Sequence, residues 1–245
     1  MSVAASDVAC PSTPKLREMF YTAATEHGQE RDDLPLWALR PEITPNVAFP
    51  LRASMSQTNV RRQDVQGLPG GFQILDLMSE EECEAFQAVL DELGFHTDAA
   101  VSLPYSFRHM TNCNLCVPEF VDELLYKRCE HLLPTIAGYK PVGLNAKFRC
   151  YRYQPGDYFK PHTDGAWPGS RVTDKGFQGD AYGDRFSQLT FLILLTDDYE
   201  GGATRFLLEK TLPWRCERLV EAFSSSRMDT TQTARCTRGR RSMLA

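Results

Sequence analysis

The sequence has no apolar run long enough to form a membrane-spanning helix. Its longest stretch of consecutive apolar residues covers positions 191–195, whereas a helix needs about 20 such residues to cross a bilayer. The N-terminus also lacks the basic start and the apolar middle of a secretory signal. These absences predict an intracellular, cytoplasmic protein that does not enter a membrane.

An excess of positive charge is missing as well. The net charge is -5 and the pI is about 5.6. Proteins that bind nucleic acid normally present a basic surface to the phosphates. The charge balance therefore predicts no nucleic-acid partner, and it gives no indication of the oligomeric state.

Cysteines are too sparse for a disulfide scaffold, since there are eight in 245 residues. Cys113 and Cys116 have CxxC spacing, but no second CxxC follows to complete a zinc site. Chance spacing is the simpler interpretation. Cys129 and His131 could supply further ligands, so a zinc-stabilised binding module remains an alternative.

Residues 1–70 read as a separate N-terminal extension that is partly disordered. Six prolines between positions 11 and 50 interrupt any long periodic element. Within this region residues 15–26 predict a short helix, and residues 55–66 are polar and indicate a linker. Order is expected to begin at the turn Pro69-Gly70-Gly71.

Two helices are predicted after this turn. Ser79 is a helix N-cap, and Glu82 three residues later completes a capping box. Apolar residues then recur at helical spacing until Gly94 ends the helix. A second helix runs from about Pro118 to Leu133, with an apolar stripe that consists of Phe120, Leu124, Leu125 and Leu132.

Strands are predicted in the second half of the chain. Residues 146–153 alternate between apolar and polar, residues 188–196 have a nearly continuous apolar centre, and residues 203–208 form one more strand. Helices followed by strands indicate an α+β domain with a sandwich or barrel core. Residues 209–245 form an atypical tail, predicted to be disordered, because residues 224–245 contain eight Ser or Thr and five Arg.

The triplet His162-Thr163-Asp164 carries the strongest chemical signal. Residues two apart on a strand point to the same side, so the imidazole and the carboxylate can converge. One nitrogen and one charged oxygen suit a divalent first-row metal. The 2-His-1-carboxylate triad of non-haem iron enzymes uses this pair together with a distant histidine.

The surroundings of this triplet resemble the prolyl 4-hydroxylase-like group of iron(II)- and 2-oxoglutarate-dependent dioxygenases. Residues 148–165 resemble the strand, turn and HxD segment of that group, and residues 189–206 resemble its next two strands. The resemblance covers about residues 70–208. It implies a double-stranded β-helix, a jelly-roll or cupin-like core, within an oxygenase-like domain at residues 71–208 that is C-terminally incomplete and flanked by helices.

The resemblance also implies roles for individual residues. His162 and Asp164 would be the catalytic residues that hold Fe(II). Tyr153 would donate a hydrogen bond to the co-substrate 2-oxoglutarate, and Thr190 and Leu194 would line its pocket from a facing strand. The reaction would hydroxylate a C–H bond of a protein or small-molecule substrate and release succinate, with ascorbate as reductant.

The loops around this site complete the expectation. The loop at residues 165–184 would cover the mouth of the site and touch the substrate. Arg108, His109 and Asn112 lie in a polar stretch that borders the mouth in similar enzymes. Ordinary solvation of a loop is the simpler interpretation of these three residues.

The sequence departs from the family pattern downstream of the triplet. The family places a second histidine roughly 50 residues further on, followed by an Arg or Lys for the distal carboxylate of 2-oxoglutarate. This chain has five histidines and none follows His162. Either the residues after Phe206 derive from a different reading frame, or this chain lacks a complete iron site. We therefore expect this chain to be inactive or nearly so, and a non-catalytic scaffold of oxygenase descent is a further alternative.

Overall fold

A computed structural model describes residues 15–53, 59–98, 104, 106–208, 218–222 and 241–244. The protein is a mixed α+β structure with mostly strands and few helices, as the sequence predicts. The described strands do not close into a barrel. Within the described ranges, every helix is too short or too polar to cross a bilayer.

The described helices are α1 (Pro45–Ala48), α2 (Glu80–Leu93) and α3 (Glu119–Cys129), with 3-10 turns at Leu16–Met19 and Glu130–Leu132. The described strands are β1 (Phe20–Glu26), β2 (Leu34–Leu39), β3 (Arg61–Asp64), β4 (Phe72–Leu75), β5 (Arg108–His109), β6 (Thr111–Cys116), β7 (Lys147–Tyr153), β8 (Tyr158–Phe159), β9 (Arg171–Thr173), β10 (Gly176–Gln178), β11 (Ile193–Leu194), β12 (Thr204–Leu208), β13 (Arg218–Ala222) and β14 (Arg241–Leu244).

A six-stranded sheet forms the centre of the molecule. Its strand order is β1-β2-β6-β7-β14-β11. Strands β2 and β6 are parallel, and all other neighbours in this sheet are antiparallel. The remaining described strands form two-stranded pairs around the sheet. Strand β7 lies inside the sheet, between β6 and β14.

One face of the sheet packs against α2. Ser79 accepts a hydrogen bond from the Glu82 N–H, and the Glu82 carboxylate accepts one from the Ser79 N–H, so the predicted capping box is confirmed. Gly94 follows the helix with φ +86°, which favours glycine. The buried side chains of α2 join Leu115 and Phe148 of the sheet in one apolar core.

The second helix is also confirmed, although its buried stripe differs from the prediction. The fully buried apolar residues of α3 are Val121, Leu125 and Cys129, while Phe120 and Leu124 are only partly buried. The difference arises because the helix also buries two charged residues, Asp122 and Arg128, which form ion pairs.

The N-terminal region differs from its prediction. Residues 15–26 form one 3-10 turn and strand β1, so the predicted helix is wrong. Strand β2 is almost wholly buried and lies beside β6. Residues 15–53 are therefore part of the central sheet and core rather than a loosely attached extension.

The C-terminal region differs as well. Only Ile193–Leu194 of the predicted strand 188–196 forms a strand. Within the predicted disordered tail, β13 pairs with β12, and β14 lies between β7 and β11. Main-chain hydrogen bonds hold such strands without an apolar pattern, which explains why side-chain periodicity did not indicate them. Residues 209–217 and 223–240 lie outside the described part of the chain.

Candidate metal site

The segment that carries the HxD triplet is held by a short ladder. Strand β8 pairs with β5 in antiparallel register, and the Lys160 N–H donates to the Phe107 carbonyl. The preceding turn closes through the Asp157 N–H and the Gln154 carbonyl. The main chain is therefore fixed on the N-terminal side of His162, even though residues 160–164 are not themselves a strand.

His162 is oriented by two contacts. Its Nδ1 lies 2.7 Å from the Lys160 carbonyl oxygen, which can only accept a hydrogen bond. Its ring stacks on Phe159 at a centroid distance of 3.7 Å and an interplanar angle of 20°. The proton is thus assigned to Nδ1, and Nε2 keeps its lone pair. Histidines that bind metals are prepared in this way by a carbonyl behind the ring.

Asp164 faces the same point as His162. Its Oδ1 lies 3.3 Å from the His162 Nε2, and its Oδ2 accepts a hydrogen bond of 2.5 Å from the Thr190 hydroxyl. The side chains of His162 and Asp164 are 32% and 51% exposed, so an ion can reach both. The two groups converge although the strand geometry expected for them is absent.

The other predicted site residues lie at different distances from this pair. Tyr153 ends β7 and is half-buried. Thr190 contacts Asp164 directly and lies outside the strands, so the expectation of a facing strand is wrong. Leu194 lies on β11, which β14 separates from β7. Two strand spacings amount to about 10 Å, so Leu194 is not a sheet neighbour of Tyr153.

A third protein ligand is not found among the described residues. They contain no group of three or more His, Cys, Asp or Glu side chains placed to hold a metal. His109 binds Asp157 through Nδ1 at 2.6 Å, and His96 binds the Asp98 carbonyl. The donors present fit one edge of a divalent metal's coordination shell, as a neutral nitrogen and an anionic oxygen.

The polar stretch before α3 divides into two parts. Arg108 lies over the Phe159 ring at 5.7 Å, and His109 stacks on Tyr158 at 5.8 Å, so both contact the segment that leads to His162. Asn112 is buried and donates to the His96 and Asp98 carbonyls. Arg108 and His109 therefore border the site, while Asn112 supports the main chain.

The CxxC cysteines do not form a zinc site in the described structure. Cys113 and Cys116 lie three apart on β6, so their side chains point to opposite faces. Burial raises the pKa of Cys113 to about 12 and that of Cys116 to about 11. Both thiols are therefore neutral at pH 7, whereas zinc binds thiolates.

The loop at residues 165–184 contains the hairpin of β9 and β10, which side-chain patterning did not indicate. Arg171 donates to Asp122 at 2.6 Å and to the Tyr182 hydroxyl at 2.7 Å. Burial raises the pKa of Asp122 to about 6, against the effect of this pairing with Arg171. This ion pair anchors the loop to α3, and the exposed ring of Trp167 lies at its start.

Comparisons of the chain with protein-family models, curated proteins and solved structures find no match.

Proposed function

We propose that this chain binds a divalent metal of the iron(II) type at His162 and Asp164, on a scaffold of 2-oxoglutarate-dependent oxygenase descent. The observation that supports the proposal is the distance of 3.3 Å between His162 Nε2 and Asp164 Oδ1. Each of these two side chains is also held by a hydrogen bond at its other polar atom. The Lys160 carbonyl orients the imidazole, and the Thr190 hydroxyl orients the carboxylate. We also propose a jelly-roll core, because β7 and the HxD segment follow one another as they do in that fold.

The chain's own residues would act by binding and orienting. His162 Nε2 and Asp164 Oδ1 would hold the metal, and the Phe159 ring would restrict rotation of the imidazole. Tyr153 would donate a hydrogen bond to the co-substrate, and Leu194 could contribute only apolar surface. With dioxygen as the oxidant, bound iron and 2-oxoglutarate would supply the chemistry of C–H hydroxylation, in which 2-oxoglutarate is oxidised to succinate and CO2 and ascorbate keeps the iron reduced.

The proposed substrate is a protein side chain or a small molecule. It would approach the metal site across the loop at residues 165–184. Specificity in such enzymes comes from loops, which vary independently of the scaffold.

Low turnover is part of the proposal. A site with two protein ligands holds its metal weakly, because the missing imidazole leaves a position open to water. Purified protein with Fe(II), ascorbate and 2-oxoglutarate should release little succinate above the background of the His162→Ala variant. Added free imidazole should raise succinate release several-fold in the wild type, since it can occupy the open position.

Two results would contradict this proposal. One is ordinary enzymatic turnover, about 1 s⁻¹ or more, without imidazole. The other is that added imidazole raises succinate release no more in the wild type than in the His162→Ala variant. The second result would favour a non-catalytic binding scaffold, which the missing third ligand among the described residues also favours.

A further inference from the structure

Arg149 lacks the ion pair that many arginines of the described residues form. Seven others place a guanidinium nitrogen within 4.0 Å of a carboxylate oxygen: Arg31, Arg61, Arg62, Arg128, Arg152, Arg171 and Arg185. Arg149 has no such ion pair with any residue that the structure describes. It lies on β7 between two buried residues, so it points to the face of the sheet that is not covered by α2.

The guanidinium of Arg149 is held in place by aromatic groups. It lies 4.4 Å from the centroid of the Trp167 ring, and Tyr151, two residues further along β7, points to the same face of the sheet. The main chain of Trp167 is itself fixed, because its N–H donates to the Ser187 hydroxyl and its carbonyl accepts from the Ser187 N–H. Stacking orders the plane of the fork while leaving its outer N–H groups to bind an acceptor.

Tyr151 adds a second donor beside the fork. Burial raises the pKa of its hydroxyl, so the group stays protonated at pH 7. Its hydroxyl proton can therefore be donated to an acceptor.

Trp167 is exposed and lies close in the chain to the candidate metal site. The Trp167 side chain is 46% exposed. Trp167 follows Asp164 by three residues, so their Cα atoms lie within about 11 Å. Stacking on Trp167 therefore places the Arg149 guanidinium in the neighbourhood of the segment that carries His162 and Asp164.

We propose that Arg149, Tyr151 and Trp167 form a binding site for a carboxylate group. Carboxylate is the ligand that matches a planar guanidinium fork bidentately, and the Tyr151 hydroxyl can donate to the same group. The carboxylate could belong to a free small acid or to a glutamate side chain of a peptide. The site needs no metal at His162, so it stands or falls independently of the proposed function.

Calorimetric titration of the full chain in EDTA tests this inference. The probes are glutarate, for the free acid, and a capped peptide with a single glutamate, for the side chain; the tighter binder identifies the source. Arg149→Gln should weaken binding at least about tenfold, as expected for a charged hydrogen-bonded pair. Arg149→Lys should fall in between, because it keeps the charge and loses the fork.

Arg185→Gln is the matched control. Arg185 also stacks on an aromatic ring, that of Tyr182 at 3.9 Å, but it pairs with Asp184. Its substitution removes the same charge and should leave affinity within about twofold. Circular dichroism checks the folding of each variant, and Arg149→Lys serves the test if Arg149→Gln does not fold. The inference is overturned if neither probe binds the wild type, or if Arg185→Gln weakens binding as much as the Arg149 variant.

Discussion

The two ring nitrogens of His162 have different surroundings, and this difference underlies the proposed site. Nδ1 meets a carbonyl 2.7 Å away, while Nε2 faces a carboxylate and solvent. The two carboxylate oxygens of Asp164 also have different surroundings. Oδ2 accepts a hydrogen bond from the Thr190 hydroxyl, and Oδ1 faces the imidazole. Each group thus presents one free donor atom toward the same point.

Thr190 is expected to act as a positioning residue for Asp164. Thr190→Val removes the hydroxyl at nearly constant volume, so Asp164 can rotate away from His162. We expect the dissociation constant for Mn(II) to rise by about tenfold, as is usual when such a supporting hydrogen bond is lost. Electron paramagnetic resonance of free Mn(II) measures this directly.

Controls for Thr190 are available in the chain. Thr190→Ser keeps the hydroxyl and should retain the affinity of the wild type. Thr173→Val removes an exposed hydroxyl that only bridges the β9–β10 turn and should have no effect. Equal affinity of Thr190→Val and the wild type would show that Thr190 has no positioning role.

Local contacts at this scale were predictable and distant ones were not. The HxD spacing is enough to indicate that His162 and Asp164 act together. The Thr190–Asp164 contact joins residues 26 apart, and the stacking of Arg149 on Trp167 depends on how the following loop returns over β7. Such contacts follow from the path of a loop, which residue periodicity does not specify.

The boundaries of helix α2 could be predicted from nearby residues, whereas the pairing of distant strands could not. The boundaries of α2 follow from Ser79, Glu82 and Gly94, which act within a few residues of the helix. Strand β2 pairs with β6 across more than 70 residues, and β14 pairs with β7 across about 90. Their places in the sheet depend on tertiary packing, so the sequence pattern alone assigned neither of them to it.

Helices α2 and α3 are joined by a buried ion pair between Glu82 and Arg128. Their side chains are 1% and 2% exposed, and Arg128 donates to both carboxylate oxygens at 2.7 and 2.8 Å. Burial opposes ionisation of Glu82, but the hydrogen bonds from Arg128 and from the Arg52 and Ser79 N–H groups outweigh it and lower its pKa. Arg128 also donates to the Arg52 carbonyl, so the pair fixes the N-terminal region on the helices.

Arg128→Met should destabilise the fold by roughly 3–5 kcal/mol at pH 7, because Glu82 would remain buried without its partner. Urea denaturation measures this loss. Glu123→Ala breaks the exposed Lys127–Glu123 pair on the same helix and should cost less than about 1 kcal/mol.

The pH dependence of this loss follows from the lowered pKa of Glu82. In the wild type its stabilisation is present above the ordinary glutamate pKa of about 4.3 and is lost as pH falls through the lower folded value. In Arg128→Met the Glu82 carboxyl is protonated more readily as the pH falls. Protonation removes the free-energy cost of burying this charge without its partner. The difference in the free energy of unfolding between the wild type and Arg128→Met should therefore become smaller in acid. A difference that does not change with pH would contradict this role of the Glu82–Arg128 pair.

Across the whole molecule, the sheet separates a core face from a polar face. Phe148 and Cys150 of β7 join the apolar core with α2, while Arg149 and Tyr151 face the other way. The hairpin of β9 and β10 is tied to α3 beside that polar face through Arg171 and Asp122. The candidate groups for binding on β7 thus lie on the face of the sheet opposite to α2.

Binding of Mn(II) to the metal-free protein tests the site at His162 and Asp164 most directly. We expect one weak site per chain, weakened at least about tenfold by His162→Ala and by Asp164→Asn, since each removes a protein ligand. His131→Ala removes an exposed histidine elsewhere and should leave the affinity unchanged. Affinity that is the same in the wild type and in His162→Ala would contradict the claim that His162 and Asp164 form a metal site.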